Sequence, residues 1–332
     1  MTYDDDLLAR LTVGVQAVLP QWGVGSDAQL VLLTISENAT YLVRDQGRQF
    51  IIRVHRPNYH SEAEIAAELA WITDLRAKGV VSTPKPLATK NGAHVVSFAD
   101  GLDTRHAVAF DYMAGSEPNA GDDLPRWYRH LGAITARLHT HARAWERPVS
   151  FVRKSWTFDT MIGPAGYWGD WREAQGLEPA GLSILEQVHE RLRAQTAAFG
   201  HGADRFGLIH CDMRPANLLV DGDRMSVIDF DDCGLCWFAY DFAASVSFME
   251  HDPIIPELMQ AWCEGYRSIA HLDDVQVQEL PMFVMLRRMQ LLAWIASHAE
   301  TPTAKAMGEP FTHGTVELGR VYLATSGAEA AA

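Results

Sequence analysis

The sequence predicts an α+β chain of two lobes, an antiparallel sheet-rich N-terminal lobe over residues 1–112 and a mostly helical C-terminal lobe over residues 113–332. Two observations carry this. Up to about Tyr112 the apolar residues fall in short runs separated by polar turns, and beyond Met113-Ala114-Gly115 they recur at three-to-four spacing. With 332 residues, 48% of them hydrophobic, the chain is long enough to bury a core in each lobe.

Leu30 to Leu33, Tyr41 to Val43 and Phe50 to Val54 read as strands of an antiparallel meander. A helix follows: Ser61 with Glu64 three residues later forms a capping-box pattern, Ile65, Leu69, Ile72 and Leu75 share one face, and Gly79 ends it. Strands return at Ala93 to Phe98 and Ala107 to Tyr112. In the second lobe, helices are expected over Leu131 to His141, Leu182 to Phe199, Ala243 to Met249, Ile255 to Ile269 and Gln278 to His298. Two short strands, Leu218 to Val220 and Ser226 to Asp229, flank the turn Asp221-Gly222-Asp223 as a hairpin. Only the tail from Gly327 to Ala332 reads as disordered.

The net charge of −14 speaks against a nucleic-acid partner, because duplex binding depends on positive charge, and it permits a cationic substrate. The acidic start Met1 to Asp6 is unlike a signal peptide. The most apolar stretch, Pro281 to Trp294, is interrupted by Arg287 and Arg288, so no membrane partner is expected. Four scattered cysteines suit a reducing compartment, and the expectation is a cytoplasmic protein.

The chemistry concentrates between Leu208 and Leu219. There His210, Asp212 and Asn217 are separated by one and then four residues, a spacing that suits phosphoryl transfer. A carboxylate orients the attacking hydroxyl and takes its proton, while a neutral oxygen ligand nearby holds a cation against the phosphates. Twelve residues after Asn217, Ile228-Asp229-Phe230-Asp231 places a second carboxylate at the end of an apolar strand.

These motifs resemble the family of aminoglycoside phosphotransferases, choline kinases and homoserine kinases, which has a bilobal protein-kinase-like fold, and the resemblance spans most of the chain. It implies ATP and Mg2+ as cofactors, a nucleotide-binding first lobe, a catalytic and substrate-binding second lobe, and transfer of the γ-phosphate to a hydroxyl of a small molecule. By the resemblance Asp212 is the catalytic base, His210 buttresses the loop, Asn217 and Asp229 are the metal ligands, and Asp241 braces the loop from behind. Arg214 sits where protein kinases place a lysine facing the transferring phosphate. In the first lobe Arg53 takes the place of the phosphate-gripping lysine, with Glu68 as its ion-pair partner and Glu64 one turn earlier as the other choice. A solvated strand-edge arginine and helix-face glutamate are the alternative reading of that pair. The nucleotide loop is placed at Ser36 to Thr40, including Asn38, and the adenine hinge at Phe110 to Met113, including Asp111.

The sequence departs from kinase patterns in three places. No Gly-x-Gly-x-x-Gly loop is present, Cys211 stands where the small-molecule kinases usually have glycine, and Asp231-Asp232 follows Phe230 where protein kinases have glycine. One of those two acids is a candidate to approach metal or substrate. The Trp156 to Trp171 stretch reads either as a cation-binding aromatic wall or as core packing, Cys233 and Cys236 as quietly buried thiols, and His139 as a packed helix residue. The preferred acceptor is an aminoglycoside, an amino alcohol or a homoserine-like metabolite. A protein Ser/Thr kinase and a nucleotide-binding pseudokinase that acts as a partner-binding module are the alternatives.

Overall fold

A computed structural model describes residues 5–25, 27–35, 38–119, 121 and 123–329. Its chain divides into two compact units. The first comprises residues 1–115, 146–153 and 226–231, and the second comprises residues 116–145, 154–225 and 232–332.

The first unit begins with α1 (Asp5–Val18), followed by β1 (Gln29–Ile35), β2 (Ala39–Asp45), β3 (Arg48–Val54), α2 (Glu62–Ala77), β4 (Val95–Asp100) and β5 (Asp103–Asp111). The strands form one sheet in the order β1-β2-β3-β5-β4, with every neighbouring pair antiparallel. Along β2 and β3, residues that point to one face are buried together: Tyr41 opposite Ile52 and Val43 opposite Phe50. Leu7, Leu11, Val15 and Val18 of α1 join the same core, four or three residues apart as one helical stripe requires. Gly14 lets α1 come close to the sheet, since a Cβ there would lie 2.2 Å from the Phe98 ring. The capping box of α2 is formed as expected, with Ser61 Oγ accepting from the Glu64 N–H and the Glu64 carboxylate accepting from the Ser61 N–H.

The second unit is mainly helical. Its elements in chain order are α3 (Leu124–Ala144), α4 (Phe158–Met161), α5 (Pro179–Phe199), β6 (Phe206–Ile209), β7 (Leu218–Asp221), β8 (Arg224–Val227), β9 (Gly234–Trp237), α6 (Tyr240–Ser245), α7 (Ile255–Arg267), α8 (Asp274–Gln278), α9 (Leu280–Ser297) and α10 (Pro302–Glu329). The fourth of the five crossings between the units falls within β8, after Met225. Helices α3 and α7 cross at two glycines. A Cβ on Gly132 would sit 2.0 Å from the Trp262 carbonyl oxygen, and one on Gly265 would sit 1.9 Å from that of Arg129. Backbones pack this closely only where side chains are absent.

Several boundaries differ from those expected. Asp123 caps α3 by accepting from the Arg126 N–H, which starts that helix seven residues before Leu131. The helix expected from Gln278 to His298 is α9, which runs from Leu280 to Ser297, while Gln278 closes the separate short helix α8. The strand expected to carry Asp229 ends at Val227, and Asp229 lies beyond it with a φ of 60°. Helix α10 continues to Glu329, three residues into the tail read as disordered, while residues 330–332 lie outside the described ones.

Candidate active site

In the second unit, β6 ends at Ile209 and the chain turns sharply at Cys211, whose φ of 68° lies in the left-handed region. Glycine is the unstrained residue there, which gives a physical reason for the family's preference for it at this position. The turn aims the Cys211 N–H at Asp241 Oδ1, 2.8 Å away, and the His210 N–H at Asp241 Oδ2, 3.4 Å away. Asp241, at the start of α6, is wholly buried and also pairs with His139 Nε2 at 3.0 Å. The other ring nitrogen of His139 meets the Tyr266 hydroxyl at 3.1 Å. His139 is thus a packed helix residue whose ring holds the brace of the loop, and burial pushes its pKa down despite the pull of Asp241.

His210 is buried, and its Nδ1 accepts the N–H of Asp212 at 3.2 Å. The Asp212 carboxylate is 16% exposed and meets three donors. Asn217 Nδ2 gives Oδ2 a bond of 2.7 Å, Arg214 Nε gives the same oxygen a longer one of 3.4 Å, and Arg287 Nη2 gives Oδ1 one of 2.6 Å. Asn217 Nδ2 also reaches the Asp212 carbonyl at 2.8 Å, so the amide nitrogen is committed to Asp212 and Oδ1 is the atom left to meet a cation.

Arg287 carries no signal in the loop motif. What the sequence does show is an adjacent arginine pair inside an apolar helix, and a buried charge requires a partner. The structure supplies both partners: Arg287 meets Asp212, and Arg288 Nη1 meets the buried Glu250 at 2.7 Å.

In the first unit Arg53, on β3, points into a buried cluster. Its Nη2 binds both Glu68 oxygens at 2.8 and 2.6 Å, and its Nη1 binds Asp229 Oδ1 at 3.0 Å. Glu64, the other choice, is spent on the capping box of α2. Burial works against the Arg53 charge, but Glu68, Asp231 and Asp229 outweigh it and hold its pKa above the ordinary value. Asp229 keeps 44% of its side chain exposed. Asp231 turns inward instead, within 3.2 Å of His55 Nδ1 and 2.7 Å of Asn38 Nδ2, and Asn38 Oδ1 accepts from the Arg56 N–H. His55, Glu68 and Asp231 come close enough to suggest a cation site. The Arg53 guanidinium already sits among these acids and supplies their positive charge.

Buried beside that guanidinium, His55 is pushed down to about 4 from its ordinary 6.5, by burial first and Arg53 second. Between those values the unfolded chain binds more protons than the folded one, so this stability is complete above pH 6.5 and falls away as pH drops towards 4. Urea unfolding at a series of pH values should show a loss of on the order of 3 kcal/mol from this residue, and His55→Gln should flatten that slope. An unchanged slope would assign the loss elsewhere.

Of the other predicted positions, Asp111 ends β5. Its Oδ1 accepts from the Lys85 N–H, its own N–H donates to the Lys85 carbonyl at 2.9 Å, and Met113 follows half-buried. Ser36 and Glu37 of the expected nucleotide loop lie outside the described residues. Trp156, Trp168 and Trp171 are buried, so core packing accounts for them, while Tyr167 is 41% exposed. All four cysteines are buried and none is joined in a disulfide, and burial pushes the thiols of Cys211, Cys236 and Cys263 up. Among the described residues no helix is long and apolar enough to cross a membrane.

An antiparallel sheet unit with an arginine–glutamate pair, and a helical unit with this Asp–Asn loop, define a kinase acting on hydroxyl groups. The chain belongs to the phosphotransferase enzyme family, whose model matches residues 33–272. It is 40% identical to the solved microcompartment-associated aminopropanol kinase, with a TM-score of 0.89 over 96% of this chain and 98% of that one. It is also 22% identical over 280 residues to the amicoumacin kinase of Bacillus subtilis (strain 168), covering 81% of this chain and 80% of the relative. A solved amicoumacin kinase, hAmiN, in complex with AMP-PNP, Ca2+ and Ami, superimposes with a TM-score of 0.75 at 22% identity, over 94% of this chain and 95% of that one. These matches bear out the protein-kinase-like α+β fold and the family that the loop motif implies.

Proposed function

We propose that the chain transfers the γ-phosphate of magnesium-bound ATP to the hydroxyl of a small amino alcohol. The observation that carries the reaction is the Asp212–Asn217 pair: one side chain presents a carboxylate, and the other, held by it, keeps an amide oxygen for a cation. The 40% identity to an aminopropanol kinase, extending over nearly all of both chains, supports the acceptor class, and the net charge of −14 suits a cationic one. The AMP-PNP and Ca2+ held by hAmiN support a nucleotide triphosphate and a divalent ion.

The oxygens of Asn217 and Asp229 are hard donors of the kind magnesium prefers, and each is proposed as a metal ligand. Magnesium, when bound, offsets the phosphate charge. Asp212 accepts the acceptor's hydroxyl proton as the oxygen bonds to the γ-phosphorus, and the bond from that phosphorus to the β–γ bridging oxygen breaks to release ADP. Arg214, half-exposed beside Asp212, neutralises charge on the transferring group. His210 keeps the backbone of Asp212 in place. Arg53, fixed by Glu68, grips the nucleotide phosphates, while Asn38 shapes the nucleotide loop and the chain from Asp111 to Met113 meets the adenine.

The test is transfer of labelled γ-phosphate to a panel of amino alcohols, homoserine, aminoglycosides and proteins. The expected result is a kcat/KM for an amino alcohol at least about tenfold above every other acceptor, a transition-state preference of about 1.4 kcal/mol. Label on protein would establish the Ser/Thr kinase reading. Absence of magnesium-dependent transfer to any acceptor would establish the binding module.

A further inference from the structure

We infer that Arg287 is a positioning residue for the phosphotransfer, holding the Asp212 carboxylate in the orientation in which it receives the acceptor hydroxyl. The inference rests on the proposed reaction and adds a group from outside the catalytic loop.

Arg287 lies on α9, 75 residues from Asp212, and only 4% of its side chain is exposed. All three of its nitrogens are engaged. Nε donates to Ser247 Oγ at 2.9 Å, Nη1 to the Tyr240 hydroxyl at 3.1 Å and Nη2 to Asp212 Oδ1 at 2.6 Å. The guanidinium carbon lies 5.5 Å from the Trp168 ring centroid and 5.8 Å from that of Tyr240. Tyr240 in turn donates to Gln290 on α9, and Ser247 Oγ donates to the Ala244 carbonyl at 2.7 Å. The arginine is therefore held by groups on α6, on α9 and just beyond α6 before it meets the carboxylate.

The other two donors to Asp212 come from its own loop, and both reach Oδ2. They restrain the carboxylate at one oxygen and leave Oδ1 without a donor from the loop. Arg287 supplies the bond there, so the plane of the carboxylate is set by the helical core as well as by the loop. A guanidinium holds two supports and a carboxylate at fixed angles, because its donors form a rigid fork, whereas an ammonium is a point charge on a flexible stem. A misplacement near 1 Å at a reacting group costs about 10²-fold in rate. A buried arginine whose prong ends on the catalytic base is placed to prevent that.

The experiment measures kcat and both KM values for wild type, Arg287→Lys, Arg287→Met and Tyr240→Phe, with melting curves for each. Arg287→Lys is expected to lose about tenfold in kcat and Arg287→Met about 10²-fold, with KM for nucleotide and acceptor within about twofold of wild type. Added guanidinium should restore part of the Arg287→Met rate. If Arg287→Met does not fold, Arg287→Lys and Tyr240→Phe, which keep a charge at the site, carry the test. Folded variants with wild-type kcat, or a loss lying wholly in KM, would overturn the inference. If wild type transfers no phosphate to an amino alcohol, that acceptor reading falls, and the same variants are read by phosphate release to water, where Asp212 orients the water instead. No difference there, or no release by wild type, also overturns it.

Discussion

Asp212→Asn should lower phosphotransfer by about 10²–10⁴-fold, the range typical of a positioned general base, while the variant still binds nucleotide. The two side chains have the same shape, so Arg287 Nη2 can still donate to an oxygen in the Oδ1 position. At the Oδ2 position the new amide nitrogen would face Asn217 Nδ2, two donors with no acceptor between them. A drop in stability of about 1–3 kcal/mol is therefore expected beside the loss of activity, and it is far too small to account for that loss when most molecules remain folded. Single-turnover transfer together with urea unfolding separates the two effects. Turnover within tenfold of wild type would remove Asp212 from the role of base.

The largest effect on stability is expected at Arg53. Arg53→Met removes the cation that Glu68 and Asp231, both buried, share. Breaking a buried ion pair by deleting one partner costs about 3–5 kcal/mol, because the remaining charge has neither water nor counter-ion. Arg53→Lys should recover only part of this, since one ammonium nitrogen cannot stand in both for the Nη2 that holds Glu68 and for the Nη1 that holds Asp229. The double variant Arg53→Met with Glu68→Gln should be less damaged than Arg53→Met alone, because the orphaned charge is gone. Denaturant midpoints measure all three, and additive losses would show that the pair is not coupled.

Where the information was local, the sequence was readable. Short apolar runs between polar turns marked the meander, Ser61 and Glu64 marked the start of α2, and the spacing of His210, Asp212 and Asn217 marked the reaction. What escaped reading was set by contacts between distant segments. Helix α1 contains the stripe Leu7, Leu11, Val15 and Val18, but Gly14 sits among them for the sake of Phe98 on β4. Helix α10 is masked by Gly308, whose φ of 46° kinks it, and by Pro310. Arg287 was visible only as an interruption of an apolar run, and nothing within α9 names Asp212 as its partner. Asp231 was one of two acids read as candidates to approach metal or substrate, and its inward turn toward Arg53, His55 and Asn38 depends on residues at least 176 positions earlier in the chain. The left-handed turn at Cys211 was likewise hidden, because cysteine carries no conformational signature.

That turn places a thiol one residue before Asp212, and all four thiols are buried with none joined in a disulfide. An alkylating reagent reacts with thiolate exposed to water, so the folded chain presents it with almost nothing. Each cysteine thereby becomes an internal clock for the opening of its own neighbourhood. Cys263, on α7, times the helical core, whereas Cys211 times the breathing of the loop that carries Asp212, the proposed base. The molecule contains, without any introduced label, a means of telling local motion of the loop at Cys211 from unfolding of the unit around it.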